Sequence, residues 1–419
     1  MSIRLQRYLE SNGTLNILVD ELIPGVETYF NTTSLSPHRL SITRRSGREI
    51  TADDVRNAHI LLVRSVTQVN DALLLHADAL FFVGSATIGV DHIDQPLLES
   101  LGIDFAHAPG CNAQGVAEYV MSAISVCQPD VFERENARVG LIGCGHTGSA
   151  VHRVLSSLGV SVVVYDPFKQ RGHKLSLEQS NLSIQFVSFE EALASDVVSF
   201  HVPLTTAGEH PTYHVLNAQS VKYLKSSAVL INASRGDVFD QTSIRDHVTN
   251  ELMPHGGKLV LDVWHNEPCI EVSMLAVCAL ATPHIAGHSW EGKWRGTLRL
   301  YQVVCECMGL EQTLSAESFP NREQRIAVSS DAPWHQLFKA AYPIERDDVA
   351  FRTALLTTDG SLDAIGAAFD ALRKEYPQRC EWQHVVLQPA DESEESDTLL
   401  DCLKRRGHWI RSERDVNHV

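Results

Sequence analysis

Arg138-Val-Gly-Leu-Ile-Gly143-Cys-Gly145-His-Thr-Gly148 is the stretch on which the reading turns. An apolar run ends at Ile142, glycines stand at 143, 145 and 148, and apolar residues follow at 151, 154, 155 and 158. That last spacing is one face of a helix. A GxGxxG string alone says little, because glycine-rich turns are common. Between a strand and an amphipathic helix it has a physical use. The glycines permit a tight turn, close approach of a pyrophosphate and close helix–strand packing, and the first N–H groups of the helix face the phosphates. Gly159 ends that helix and Val160–Tyr165 reads as the next strand. Asp166 then lies 18 residues beyond Gly148, near the place from which a carboxylate holds ribose hydroxyls. A carboxylate there repels a 2′-phosphate and favours NAD, while Lys169 and Arg171 close by keep NADP in play.

Working outward, Ile184–Val187, Asp196–His201, Ala228–Asn232, Lys258–Asp262 and Ala279–Thr282 read as further strands. With the first two they make seven, enough for a doubly wound Rossmann domain over 113–287. On the amino-terminal side, Asn16–Val19, Ile60–Val63, Phe81–Val83 and Ile103–Phe105 read as buried parallel strands. Asp71–His76 and Pro96–Leu101 read as crossover helices between them. A second, split parallel-sheet domain is expected over 1–112 and 288–311. Gln312–Asp331 reads as a linker, and Trp334–Tyr342, Ser361–Tyr376 and Trp382–Leu387 suggest a small separate α/β unit within 312–419. Asp391–Asp397 reads as an acidic, solvated turn. The fold class is α/β: two doubly wound parallel-sheet domains and a small carboxy-terminal unit.

A chain of 419 residues is more than one core usually holds, which agrees with that count. Its 44% hydrophobic and 21% charged residues exclude disorder as the main state. Thirty-five basic against 52 acidic residues give a net charge of −17, which disfavours nucleic acid and anionic membranes as partners. No run approaches a membrane span, and the amino-terminal residues are too polar for a secretory segment. The nine cysteines are scattered without a metal-ligand spacing, so neither a metal site nor a disulfide framework is expected. Buried free thiols and a cytoplasmic location are.

Three strand ends carry the chemistry. Asn232-Ala-Ser-Arg235-Gly-Asp237, Asp262-Val-Trp-His-Asn-Glu267-Pro268 and Thr282-Pro-His284-Ile-Ala-Gly287 each follow an apolar strand. Ligands of open α/β sheets bind at such carboxyl ends. Oxidation of a 2-hydroxy acid needs these residue types. A planar guanidinium holds the carboxylate, an imidazole takes the hydroxyl proton, and a carboxylate orients the imidazole. The chain has 20 histidines, and His201, His265 and His288 compete with His284 for the role.

In these residues the chain resembles the D-isomer-specific 2-hydroxyacid dehydrogenases. The order GCGHTG, NASRGD, DVWHNEP, TPHIAG carries the resemblance over about residues 15–300. It implies Arg235, Glu267 and His284 as active-site residues. It also implies Asp166, Val202, Asp262 and Gly287 as NAD contacts beside Gly143, Gly145 and Gly148, and Ser65 and Thr87 as substrate contacts. His288 stands where relatives usually carry tyrosine, and is expected to contact substrate with a different reach. The implied substrate is a small phosphorylated hydroxy acid, with Arg64, Lys293 and Arg295 as candidates for its phosphate. Arg346-Asp-Asp348 with Arg352 resembles part of a dimerisation domain, so a homodimer is expected. A dehydrogenase for another D-2-hydroxy acid, such as 3-phosphoglycerate, or a non-enzymatic NAD-sensing protein would fit the same motifs. About fifteen amino-terminal residues and Met253–Gly257 look like additions to the family pattern, and both are expected on the surface.

Overall fold

The computed structural model describes residues 3–11, 13–176, 184–320, 322–329, 332–389 and 401–403. The acidic stretch 391–397 lies outside them. Two compact units emerge: 1–112 with 289–321, and 113–288 with the residues from 322 onward. In the first, β1 (Thr14–Asp20), β2 (Arg39–Arg45), β3 (Ile60–Val63), β4 (Phe82–Ser85) and β5 (Asp104–His107) form a parallel sheet. Its order is β2-β1-β3-β4-β5. Successive strand residues point to opposite faces. Ile17, Ile60, Leu62 and Phe82 therefore pack in one core with the helix Trp290–Met308, while Leu18, Leu61, Val63 and Val83 pack in another. Both faces are covered, which is why β3 reads as an unbroken apolar run and β1 carries Ile17-Leu-Val19 at its centre.

Two features of this unit differ from the sequence reading. β2 is an edge strand whose residues alternate between exposed and half-buried, so it lacks the apolar run that marks the others. The amino-terminal extension is exposed along one face, as expected, but it is also anchored: the helix Ile3–Ser11 buries Leu5 and Tyr8. Tyr8 packs 5.7 Å from the Phe81 ring, and Arg4 donates to the Leu80 carbonyl at 3.0 Å.

In the second unit, β6 (Arg138–Ile142), β7 (Ser161–Tyr165), β8 (Gln185–Phe186), β9 (Val197–Phe200), β10 (Val229–Asn232), β11 (Lys258–Leu261) and β12 (Leu280–Ala281) form a parallel sheet. The order β12-β11-β10-β9-β6-β7-β8 reverses direction between β6 and β9, the switch point at which such sheets take ligands. The Met253–His255 turn is exposed here, as expected.

The small carboxy-terminal unit read from the sequence is present, but the residues from 322 onward group with the second unit and do not stand apart from it. β13 (Gln324–Val328), inside the expected linker, pairs in parallel with β14 (Val385–Pro389) and with no other strand among the described residues. Two strands cannot cover their own apolar side chains. Leu337, Phe338 and Trp382 instead enter the core around Tyr119 and Val120, and Phe351, Leu355, Ile365 and Phe369 enter the core around Leu230 and Leu259. All nine cysteines are unbridged, and only Cys269 and Cys307 are less than buried. No helix of the described residues is long and apolar enough to cross a membrane.

Candidate active site

The turn after β6 behaves as the glycine spacing requires. Gly143 has φ +92°, and a Cβ there would lie 2.5 Å from the His201 carbonyl. A Cβ on Gly148 would lie 2.1 Å from the Gly143 carbonyl. Gly145 is different: nothing lies within 4 Å of its Cβ direction. It begins the helix His146–Ser157 with no side-chain cap, so the N–H groups of the first turn are left to a ligand. The Asp166 carboxylate accepts from the Cys144 N–H at 2.9 Å and the Lys169 N–H at 3.0 Å, which fixes it against this turn. Arg171 is paired bidentately with Glu209 at 2.7 and 2.6 Å, so its charge is matched within the protein and adds little to the case for a 2′-phosphate. This cradle fits NAD.

We expect Gly145→Ala to keep the wild-type Tm and to weaken NAD about tenfold. Gly148→Ala, whose methyl meets backbone, should lower Tm by several degrees. Thermal melts and NAD titration separate the two, and equal Tm values for both variants would contradict the packing argument.

At the end of β10, the Asn232 amide oxygen accepts from the Ser234 N–H at 3.1 Å and hydroxyl at 2.8 Å, while the Asn232 amide donates to the Arg235 carbonyl at 2.9 Å. This small turn aims the half-buried Arg235, whose Nη1 also donates to the Ser234 carbonyl at 2.8 Å. Gly236 then brings the loop against that of β11, because a Cβ there would lie 2.0 Å from the Trp264 carbonyl. The β11 loop is tied in turn to β12, where the Trp264 indole donates to the Thr282 carbonyl at 2.9 Å. Three strand-end loops are thus fastened side by side.

On them, His284 Nδ1 lies 2.7 Å from Glu267 Oε2. The other Glu267 oxygen accepts from the Trp264 N–H at 2.8 Å. Burial by itself would push the Glu267 carboxyl up, but His284, Arg373 and the Trp264 N–H together hold it below its ordinary value. His284 has φ +56°, a left-handed backbone conformation for a non-glycine residue. Such a backbone persists only where its surroundings impose it. Here the His284 N–H donates to the Asp262 carbonyl at 2.7 Å.

Asp262 stands apart from the other expected cofactor contacts. It is 1% exposed. Its carboxylate accepts from the Thr282 hydroxyl at 2.7 Å and from the Ile285 and Ala286 N–H groups at 2.7 and 2.9 Å. It holds the His284 loop from beneath. Thr282 and Tyr119, whose hydroxyls lie 2.8 Å apart, belong to the same support and were not singled out from the sequence. The TPH run marks Thr282, but no local pattern marks Tyr119.

Of the competing histidines, His201 is buried against the Ser199 hydroxyl at 2.9 Å, and burial pushes it down to about 3, so it is neutral at physiological pH. His265 is paired through Nδ1 with Asp237. His288 lies half-buried on the same loop as His284, its ring 5.7 Å from that of Tyr376. Val202, just after β9, and Gly287 are both half-buried.

Five expected residues lie in the first unit, among them the half-buried Lys293. Ser65 and Arg64 follow β3, and Arg64 faces the buried Asp20, whose carboxyl burial pushes up against the pull of that guanidinium. The Thr87 hydroxyl is engaged with Ser85 Oγ at 2.8 Å and the Gly89 carbonyl at 3.1 Å. Arg295 is half-buried, with Nε donating to the Cys111 carbonyl at 2.8 Å. A cavity of about 500 Å³ in this unit is lined by Arg48, Thr51, Thr67 and Asn70 among others. It contains none of the residues singled out above.

Residues 120–286 match the family described as D-isomer specific 2-hydroxyacid dehydrogenase, NAD binding domain, and 318–402 match a domain of unknown function. The fold is that of solved members. A D-lactate dehydrogenase from Aquifex aeolicus, complexed with NAD and lactic acid, aligns over 70% of this chain and 96% of its own with TM-score 0.56 and 23% identity. An NAD-bound 3-phosphoglycerate dehydrogenase from Entamoeba histolytica aligns over 74% and 99% with TM-score 0.57 and 18% identity. The chain belongs to the D-isomer specific 2-hydroxyacid dehydrogenases, NAD-dependent enzymes acting on CH–OH groups, and within them to the erythronate-4-phosphate dehydrogenase family. The enzyme of that name from Tolumonas auensis is 39% identical over 91% of this chain and 97% of its own. That from Pseudoalteromonas translucida is 41% identical over 89% and 95%.

Proposed function

We propose that this dehydrogenase oxidises the C2 hydroxyl of 4-phospho-D-erythronate to 2-oxo-3-hydroxy-4-phosphobutanoate, a step of vitamin B6 biosynthesis. The observation that carries the reading is the 2.7 Å pair of His284 and Glu267 beside the Arg235 loop, in a chain similar to erythronate-4-phosphate dehydrogenases along nearly its whole length. Arg235 holds the substrate carboxylate in parallel hydrogen bonds. His284 Nε2 accepts the hydroxyl proton, and Glu267 across the ring fixes the tautomer and balances the imidazolium. NAD, when bound, supplies the acceptor for the hydride leaving C2. The proton on His284 then passes to water. Gly143, Gly145, Gly148, Asp166, Val202 and Gly287 are the proposed cofactor contacts; any contact from Asp262 is made by a carboxylate already holding three donors.

Ser65, Thr87 and His288 are proposed for the substrate, and Arg64, Lys293 and Arg295 for its phosphate. Arg64→Ala should raise KM for the phosphorylated acid about tenfold or more and leave NAD affinity unchanged. An unaltered KM would remove Arg64 from the set. We assign the carboxy-terminal residues to homodimer formation, checked by sedimentation, and the enzyme to the cytoplasm, a reading that the nine unbridged cysteines support. NADH absorbance with 4-phosphoerythronate and with 3-phosphoglycerate tests the substrate. Faster initial rates on the second acid would overturn it.

A further inference from the structure

Arg379 lies 93 positions beyond Ala286 in the chain, yet its side chain is 6% exposed and bonded to the loop that follows β12. Nη1 donates to Glu118 Oε2 at 3.1 Å, and Nη2 donates to the Gly115 carbonyl at 3.1 Å and the Ala286 carbonyl at 2.9 Å. The guanidinium carbon stands 4.2 Å from the centre of the Tyr342 ring. Glu118 is 1% exposed, and its second oxygen accepts from the Trp382 N–H at 2.8 Å and the Gln114 amide at 3.0 Å. Both terminal nitrogens of Arg379 and both oxygens of Glu118 in this buried ion pair are hydrogen-bonded, and one arm of it reaches the loop that carries His284.

Ala286 is two residues beyond His284. Its N–H is held by Asp262 and its carbonyl by Arg379, so the strained segment is gripped from two sides. Tyr376 adds its ring against His288. A left-handed His284 costs about 1–3 kcal/mol wherever the surroundings do not impose it. Asp262 alone secures one side of the loop, and the second grip comes from a residue of the carboxy-terminal segment.

We propose that Arg379 is a positioning residue of the reaction: by holding the Ala286 carbonyl it keeps His284 facing Glu267 in the geometry that accepts the substrate proton. The carboxy-terminal segment is then part of the support of the active site as well as a packing element. This rests on the reading of His284 as the acid/base.

The test uses Arg379→Lys in the full-length enzyme. Lysine keeps the charge against Glu118, but an ammonium on a flexible stem cannot reproduce the fixed fork to three acceptors. The number of competent sites is counted by NADH titration, and kcat is expressed per competent site. The expected result is a fall in kcat of about tenfold or more, with KM for the hydroxy acid and NADH affinity within about twofold, because small misplacements of a reacting group act on the chemical step. A lower Tm with unchanged kcat per site would overturn the proposal and leave Arg379 a packing residue. If Arg379→Lys does not fold, the double variant Glu118→Gln/Arg379→Gln removes both charges together, avoids an uncompensated buried charge, and is judged by the same two outcomes. His284→Ala is assayed in parallel. If it retains turnover, the acid/base reading falls and this proposal with it. If it is inactive while Arg379→Lys is fully active, only this proposal falls.

Discussion

His284→Ala should retain NAD binding and lose about 10²- to 10⁴-fold in kcat, the span that a positioned general acid–base supplies. The expectation rests on geometry. The imidazole is held at Nδ1 by Glu267 at 2.7 Å, and its backbone by Asp262, which leaves Nε2 for the substrate. The ring makes none of the contacts of the glycine turn or of Asp166, so cofactor affinity has no reason to change. Stopped-flow or steady-state NADH formation gives kcat, and fluorescence titration gives the NADH dissociation constant. A variant with near-normal kcat would show that another group takes the proton. His201 is a poor substitute, since burial keeps it neutral and its Nε2 is engaged with Ser199.

Glu267→Gln should lower kcat about 10²-fold or more, although it changes no volume. The two carboxylate oxygens serve two donors, His284 and the Trp264 N–H. An amide has one acceptor oxygen, so satisfying either donor turns the NH₂ group toward the other. The charge that balances a protonated ring is lost as well. The same substitution has a readable stability signature. The Glu267 carboxyl is held below its ordinary value of 4.5 in the folded protein, so its ionised form stabilises the native state at pH values above 4.5. That contribution disappears as pH falls through the depressed value. The Tm difference between wild type and Glu267→Gln should therefore be full at neutral pH and shrink on acidification below about 4.5. A difference that is constant across that window would mean that the carboxylate carries no net favourable interaction.

The interior strands of both sheets were legible because a strand covered on two faces needs an unbroken apolar run. Ile60–Val63 satisfies that requirement in its own letters, as do the first three residues of Val229–Asn232. β2 has polar residues on every exposed position of an edge, and its strand state depends on the pairing of Arg39–Arg45 with Thr14–Asp20. The amino-terminal helix reads as polar until Phe81 and His59 are placed against Tyr8. The helical spacing of Ser361–Tyr376 was visible; the identity of the core it enters was not, since that core belongs to β10 and β11.

The candidate site divides in the same way. Glycine spacing, the acidic residue after the second strand, and the arginine, glutamate and histidine that follow three successive strands are local patterns, so the letters alone carry the fold class, the cofactor and the main chemical groups. Burial and partners set the histidines apart: His201 sits in the core, His265 meets Asp237, and His284 meets Glu267. Asp262 became a loop support when its oxygens met three donors from 20 to 24 positions away. Arg379 and Glu118 stand 261 positions apart. A strand or a glycine turn is specified by neighbours in the chain, whereas the protonation state and aim of a side chain depend on the groups that exclude water around it, and only folding brings those together.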